Sequence, residues 1–202
     1  LGVIRICIEN ALSFDLMDCL VLAASAYARD FNIAPLADYI IERLTNYYAE
    51  QQISGDVVDA VVATRKGDSL NLVMLDQFVR TIASFREAAA AEQIIAANKR
   101  VANILRQADA GHHQYDAGLA TDEAEKLLFE AMSAIDFSGI SSAEDKLAQL
   151  AGLQAPVDRF FDDVLVMADD ESLKANRLAL LLDLRGQFLE VADFSLLERS
   201  EE

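Results

Sequence analysis

The sequence predicts an all-α protein, and three observations support this prediction. Apolar residues make up 53% of the 202 residues, whereas only eight glycines and two prolines interrupt them. Apolar side chains recur at helical spacing, and no stretch shows the alternation typical of a half-buried strand. A chain of this length buries roughly 70% of its unfolded surface, so it can form a hydrophobic core.

The first third of the chain combines apolar periodicity with several helix-start signals. Those signals are Ser13-Phe14-Asp15, Pro35 and Ser54. The predicted helices cover about residues 1–12, 16–30, 35–52 and 56–63. The Arg65-Lys66-Gly67-Asp68-Ser69 stretch is the clearest internal break. We therefore predict a smaller helical segment over 1–68 and a second helical domain over 69–202.

The remainder of the chain predicts a helical bundle. Its helices are expected over 70–86, from after Glu87 to before Gly111, over 121–135, from Ser142 and over 170–191. Thr121 is predicted to cap its helix, and Pro156 to open a turn carrying Phe160 and Phe161. The buried side of the last helix is predicted to carry Leu178, Leu181, Leu182, Arg185 and Phe188. We expect the bundle to form around the central and last helices.

The central helix concentrates positive charge in an acidic chain. Its apolar stripe is formed by Ile94, Ala97, Val101, Ile104 and Leu105. Lys99, Asn103 and Arg106 stand above one another on another side, with Arg100 beside them, and residues 97–106 contain no acid. Such a face suits an anion such as a phosphate backbone, but it equally suits solvent or acidic residues of the same chain.

The formal net charge of −17 argues against a surface that binds nucleic acid everywhere, because it repels phosphates at long range. Any RNA binding is therefore expected to be local to the central helix. Cys7 and Cys19 are isolated, which favours a reduced, cytoplasmic setting. The charge-free run 19–28 is too short to span a bilayer, and no signal peptide is present. Because the chain starts without Met inside a helix-like pattern, we expect a fragment of a longer protein.

No catalytic group or metal site is predicted. The eight glycines form no phosphate-binding motif. His112-His113 is a weak candidate for metal binding, and a solvated loop is the simpler interpretation. Two acidic clusters, Asp162-Asp163 and Asp169-Asp170-Glu171, are open to an acid–base role. They fit better as helix-start acids and as partners of Arg100, Arg159 or Arg177.

Several blocks of the sequence form an ordered set. They run from Ala97 to Leu105, from Val157 to Met167, from Asp169 to Leu181 and from Val191 to Leu197. In this order they resemble the C-terminal region of the bacterial glycyl-tRNA synthetase beta chain. Weaker similarity lies at 1–6 and 56–61. These blocks span nearly the whole chain, which argues against a related single-chain synthetase.

The resemblance implies an anticodon-binding domain similar to that of arginyl-tRNA synthetases. It implies that the chain supports aminoacylation of glycine tRNA, while ATP, magnesium and glycine activation belong to the alpha subunit. Expected partners are glycine tRNA, that alpha subunit and upstream domains of the same beta chain, with no membrane. The alternative is a helical docking module without RNA contact.

The resemblance also directs attention to particular residues. The residues predicted to bind RNA are Asn98, Lys99, Arg100, Asn103 and Arg106. Part of this set is expected to hold the fold together, with Arg100 paired to Asp163 or Asp169. Phe160 and Phe161 can stack on bases, although two phenylalanines beside an apolar run more often belong to a core. Glycine anticodons end in two cytosines, and carboxylates accept hydrogen bonds from cytosine N4.

Overall fold

The protein is described by a computed structural model that covers residues 1–27, 32–65, 69–88, 91–108, 114–140 and 142–198. Over these ranges the regular structure is helical, without any strand, which confirms the all-α prediction. The chain divides into two compact units. One comprises residues 1–87 with the C-terminal residues from Leu196, and the other comprises residues 88–195.

The first unit contains five described helices. They are α1 (Gly2–Glu9), α2 (Leu16–Ser25), α3 (Ala34–Ala49), α4 (Gly55–Val62) and α5 (Leu72–Arg86). The start signals act as predicted at α2 and α3: the Asp15 side chain accepts a hydrogen bond from the Met17 backbone, and Pro35 lies in the first turn of α3. The core is formed by α1, α3, α4 and α5, with Ile4, Leu44, Val61 and Ile82 almost fully buried.

The first unit extends beyond the break predicted at 68/69. Helix α5 packs against α1 and α4, and its residues Phe78, Val79 and Ile82 are buried. Periodicity alone cannot tell which neighbour an apolar stripe will contact, so α5 joins the first unit rather than the second. The functional division of the chain remains a prediction.

The chain returns to the first unit after residue 195. The Glu198 backbone N–H donates to Asp56 Oδ2 at 2.7 Å, and Arg86 Nη1 donates to Asp56 Oδ1 at 2.9 Å. Asp56 lies in the first turn of α4 and Arg86 in the last turn of α5. One carboxylate therefore joins two helices and the returning segment.

The second unit contains the other long helices. They are α6 (Ala91–Gln107), α7 (Glu123–Ser133), α8 (Ala143–Ala151), α9 (Gln154–Asp163) and α10 (Glu171–Leu189). Helix α6 packs against α9 and α10, and α7 packs against the same two helices. This arrangement agrees with the predicted pairing of the central and last helices.

Several predicted helix starts are confirmed and two are wrong. Ser142 accepts a hydrogen bond from the Asp145 backbone, and Asp170 accepts from Ser172 and Leu173. Pro156, however, lies inside the first turn of α9, where its missing N–H breaks no helical bond. Thr121 does not cap α7. Asp122 is the N-cap, and the Thr121 hydroxyl instead accepts a hydrogen bond from Arg177.

Helix α10 is buried on more sides than its predicted stripe indicates. Leu178, Leu181 and Phe188 are buried as expected, whereas Leu182 is 42% exposed and Leu184 takes the buried position. Six consecutive residues, from Asn176 to Leu181, are buried. A helix enclosed by several neighbours has no single apolar face, so its sequence lacks a clean periodic signal.

We expect Val101→Ala and Leu181→Ala each to lower the free energy of unfolding by about 1–4 kcal/mol, because each truncation leaves a gap in the core. Val101 is 2% exposed and Leu181 is 0% exposed. Leu182→Ala is the matched control on α10, with an expected change within about 0.5 kcal/mol. Urea unfolding followed by circular dichroism measures these values. Equal costs at Leu181 and Leu182 would contradict the burial pattern.

Candidate nucleic-acid interface

Helix α6 separates a buried face from a polar, outward face. Its buried residues are Ala91, Ile94, Ile95, Asn98, Val101 and Ala102, which recur at helical spacing. Ala97, Ile104 and Leu105 are half-buried at the margin of this face. The opposite side carries charged and amide side chains, so the packing of α6 against α9 and α10 determines which of them reach solvent.

Asn98 does not lie on the outward face. Its side chain is 2% exposed, and Nδ2 donates to the Ile94 carbonyl at 3.0 Å. This bond to the preceding turn satisfies a buried donor that would otherwise destabilise the fold. Asn98 therefore belongs to the part of the predicted set that holds the structure together. Because its buried amide occupies an otherwise apolar stripe, sequence spacing did not distinguish it from its exposed neighbours.

The other four predicted residues reach the surface of α6. Arg100, Asn103 and Arg106 are exposed, and Lys99 is half-buried. Arg106 Nη1 donates to Asn103 Oδ1 at 3.2 Å, which orients the amide and the guanidinium together. We call Lys99, Arg100, Asn103 and Arg106 the α6 basic face.

The cations of the α6 basic face make no ion pair with a carboxylate in the ranges that the structure covers. Lys126 is the only other described Lys or Arg of the second unit without such a pair. The five that do pair are Lys146, Arg159, Lys174, Arg177 and Arg185. In a chain with a net charge of −17, a cluster of three unpaired cations leaves α6 able to attract an anion.

Arg100 stacks on an aromatic ring instead of pairing with an acid. Its guanidinium carbon lies 4.2 Å from the centroid of the Phe161 ring, which is a cation–π geometry. The predicted pairing of Arg100 with Asp163 or Asp169 is therefore wrong for the described residues. Asp163 pairs instead with Arg159 at 3.3 Å, one helical turn away.

The two adjacent phenylalanines of α9 have different environments. Phe160 is 0% exposed and belongs to the core, as the sequence favoured. Phe161 is half-buried, lies edge-on to Phe160 with 5.5 Å between ring centroids, and supports Arg100. Phe161 thus links the core of the second unit to the α6 basic face.

A buried ion pair between Glu125 and Arg177 was not predicted. Arg177 Nε and Nη2 donate to Glu125 Oε1 at 2.8 and 2.6 Å, and the two side chains are 5% and 0% exposed. Arg177 also donates to the Thr121 hydroxyl, the Asp122 carboxylate and the Leu165 carbonyl. One feature of the sequence could have indicated this pair. Glu125 lies in the apolar stripe formed by Leu128 and Met132, and a charge buried there needs a partner.

The surroundings of this ion pair perturb two titratable groups. Burial raises the pKa of Glu125, while Arg177 acts in the opposite direction. Burial also raises the pKa of the Tyr115 phenol to about 12, and the nearby carboxylates of Glu125 and Asp116 add to the shift. Both effects follow from an interior that disfavours additional negative charge.

A cleft of about 650 Å³ lies beside the C-terminal end of α6. Its walls are partly apolar and partly polar; they include Gln107, Gln114, Leu119, Met167, Lys174 and Asn176. Asn176 is fixed there by two bonds to the Asp116 backbone, at 2.7 and 3.0 Å. These two bonds join the α10 side of the cleft to the Asp116 backbone.

Two other kinds of site are absent from the described ranges. No cluster of three or more metal-ligating side chains is present there, and the predicted His112-His113 candidate lies outside the described residues. Among the helices that the structure defines, none is long and apolar enough to cross a membrane.

The class of the second unit follows from its fold together with a family comparison. A family model described as "DALR anticodon binding domain" matches residues 94–192, a range that includes the α6 basic face, Phe161 and the Glu125–Arg177 pair. A helical domain with a cationic surface helix agrees with that description. Over residues 94–192, the second unit is thus similar to DALR-type anticodon-binding domains.

A second family model, described as "Glycyl-tRNA synthetase beta subunit", matches residues 1–63. Three proteins named "Glycine--tRNA ligase beta subunit" are similar over 98% of this chain. Those from Aliivibrio fischeri (strain MJ11), Vibrio vulnificus (strain YJ016) and Shewanella sediminis are 39%, 37% and 38% identical over 211, 214 and 208 residues. Over nearly its whole length, the chain is similar to glycyl-tRNA synthetase beta subunits. It spans about 30% of the length of these relatives.

We expect Arg177→Leu to lower the stability of the second unit by about 3–5 kcal/mol, because it leaves the Glu125 carboxylate buried without a partner. Arg159→Leu is the control: its pair with Asp163 is 53% exposed on both sides and should contribute only about 0–1 kcal/mol. The double variant Glu125→Leu/Arg177→Leu should recover much of the loss, since no unpaired charge remains. Chemical denaturation of the four proteins measures these differences, and a double variant no more stable than Arg177→Leu would contradict the prediction.

Proposed function

We propose that this chain binds the anticodon arm of glycine tRNA through the α6 basic face. The observation that carries this proposal is the cluster of unpaired cations on a helix inside the segment that matches the DALR model. Lys99, Arg100 and Arg106 would contact phosphates, because phosphate contacts supply most of the affinity of nucleic-acid complexes. Asn103, oriented by Arg106, would offer hydrogen bonds to a base or a ribose.

The Arg100–Phe161 stack supports this proposal because it fixes the plane of the guanidinium at the surface. Single-stranded RNA bases stack on aromatic rings and on guanidinium planes alike. Arg100 is exposed while its ring partner is half-buried, so a base would meet the guanidinium rather than the ring. Asn98 would act indirectly, by holding the turn of α6 from which Lys99 and Arg100 project.

The acidity of the chain sets the expected strength of binding. A net charge of −17 repels the RNA at long range, so the complex should be weak and should depend on a few local contacts. Three phosphate contacts to single-stranded RNA correspond to a slope of roughly −2 in log affinity against log salt. The cleft beside Gln107 has the volume and the mixed walls of a site for a small planar group, such as an unstacked base.

We further infer that the chain works as part of a glycine–tRNA ligase, as the names of its relatives suggest. In this proposal the alpha subunit and other parts of a beta subunit are its partners, and the cytoplasm is its compartment. ATP and magnesium would bind the alpha subunit, where glycine is activated. The contribution of this chain would be to position the tRNA.

We expect Lys99→Glu/Arg106→Glu to weaken binding of glycine tRNA and to reduce the magnitude of the salt slope by roughly 1.4, because two phosphate contacts are lost. Arg106 is exposed and Lys99 is half-buried, and neither forms an ion pair within the described ranges, so the melting temperature should change little. Fluorescence anisotropy with labelled glycine tRNA at four or more salt concentrations measures both quantities.

The matched control is Lys126→Glu/Arg159→Glu, which changes the net charge equally but alters α7 and α9. It should retain nearly the wild-type salt slope. Footprinting of the wild-type complex should locate protection at the anticodon loop. Equal losses in the two double variants would mean that net charge, rather than the α6 basic face, controls binding.

We expect the chain alone to catalyse no glycine-dependent exchange of pyrophosphate into ATP. Its sequence contains no glycine-rich phosphate-binding motif, and the proposal assigns this chemistry to the alpha subunit. The exchange assay is run on the purified chain, with the relatives' alpha subunit alone as the comparison. Glycine-dependent exchange by the chain itself, abolished by removing glycine, would refute this part of the proposal.

A further inference from the structure

Helix α2 presents an apolar surface to solvent. Eight of its ten residues are apolar, yet only Leu16 is buried. Val21 is 56% exposed and Leu22 is 73% exposed, and Cys19 and Ala23 are also exposed. We call these four residues the α2 surface. Exposed apolar clusters of this kind mark interaction sites in soluble proteins.

Hydrogen bonds attach the N-terminal end of α2 to the segment that precedes α5 in the same unit. Asp15 Oδ1 accepts hydrogen bonds from the backbone N–H groups of Met17 and Leu70, at 2.8 and 3.0 Å. The Leu16 N–H donates to the Leu70 carbonyl at 2.9 Å, and Leu16 is the buried anchor. Helix α4, in the same unit, buries five of its eight residues by comparison.

This asymmetry has an energetic consequence. A helix of ten residues is only marginally stable in water without tertiary packing. Its nucleation costs free energy, and a short helix forms few backbone hydrogen bonds to offset that cost. On the turns after Leu16, Leu20 and Ala24 are half-buried, whereas Val21 and Leu22 contribute little packing. A partner that covers this side would supply the missing apolar contacts.

The chemistry of the α2 surface selects a protein partner. Asp18 is the single charged residue of α2, and the helix contains no Lys or Arg. Phosphate contacts need cations, so the surface does not suit RNA. Interfaces that are permanent resemble a divided hydrophobic core, whereas transient ones are more polar. The α2 surface therefore fits a permanent apolar contact.

The comparisons indicate which protein supplies that contact. Helix α2 lies within residues 1–63, the segment that matches the beta-subunit model, and outside the anticodon-binding match. This chain spans only about 30% of its relatives, so most of each relative lies outside the matched stretch. We propose that the α2 surface is a docking site for that other part of a glycyl-tRNA synthetase beta subunit. The proposal rests on this similarity to beta subunits and is independent of tRNA binding.

The test compares this chain alone with a chimera in which it replaces the matched stretch of the Aliivibrio fischeri relative. Leu22→Lys places a charge on the α2 surface and is compatible with a helix, since Asp18 lies four residues earlier. Leu182→Lys is the matched control, at a 42% exposed leucine of α10. Thermal unfolding and hydrogen exchange are measured for each protein.

Leu22→Lys should leave the unfolding temperature of the isolated chain unchanged and lower that of the chimera by roughly 4 °C or more. Leu182→Lys should be neutral in both. In the wild-type chimera, amides of α2 should exchange at least about tenfold more slowly than in the isolated chain. Three results would overturn the proposal: a chimera insensitive to Leu22→Lys, α2 amides equally exposed in both proteins, or sedimentation showing that the isolated chain forms a dimer which Leu22→Lys dissociates.

Discussion

The structure of the second unit depends on the burial of one arginine. Arg177 connects α10 to the start of α7 through Thr121, Asp122 and Glu125, and to the segment after α9 through the Leu165 carbonyl. A buried guanidinium is tolerated only when its N–H groups donate hydrogen bonds to acceptors on every side. The positions of three chain segments are therefore constrained by the planar geometry of a single side chain. Both the Thr121 hydroxyl and the Asp122 carboxylate accept from Arg177, and Asp122 occupies the N-cap position of α7 without a side-chain capping bond.

The sequence predicted the helical class and most helix positions because they depend on local signals. Pro35, Ser142 and Asp170 act within one turn of the helix that they start, so neighbours have little influence on them. Errors arose where a distant residue decided the outcome. Asn98 and Leu182 occupy positions that helical spacing assigns to the wrong environment, because α9 and α10 determine which sides of the bundle are closed. The partner of Arg100 was equally non-local, and a ring replaced the expected carboxylate.

The acidic composition and the α6 basic face are compatible because they act over different distances. The net charge of −17 is felt through a screened, long-range field, whose reach in physiological salt is about 8 Å. Contacts made by Lys99, Arg100 and Arg106 lie within that distance and depend on local pairing. Because most cations of the second unit are already paired with acids, the few unpaired ones define where an anion can approach. Selectivity can thus coexist with general repulsion of nucleic acid.

The hydrogen bond from Glu198 to Asp56 has a consequence for the order in which the two units are completed during translation. Residues 88–195 form a complete unit that interrupts the sequence of the first one. Translation therefore delivers α1 to α5 early, then the whole second unit, and only afterwards the segment that bonds to α4. Two partners of Asp56, Arg86 and Ser54, belong to the part of the chain made before that interval, whereas its third, Glu198, follows it. Of these two units, the one that starts earlier in the chain is therefore completed after the other.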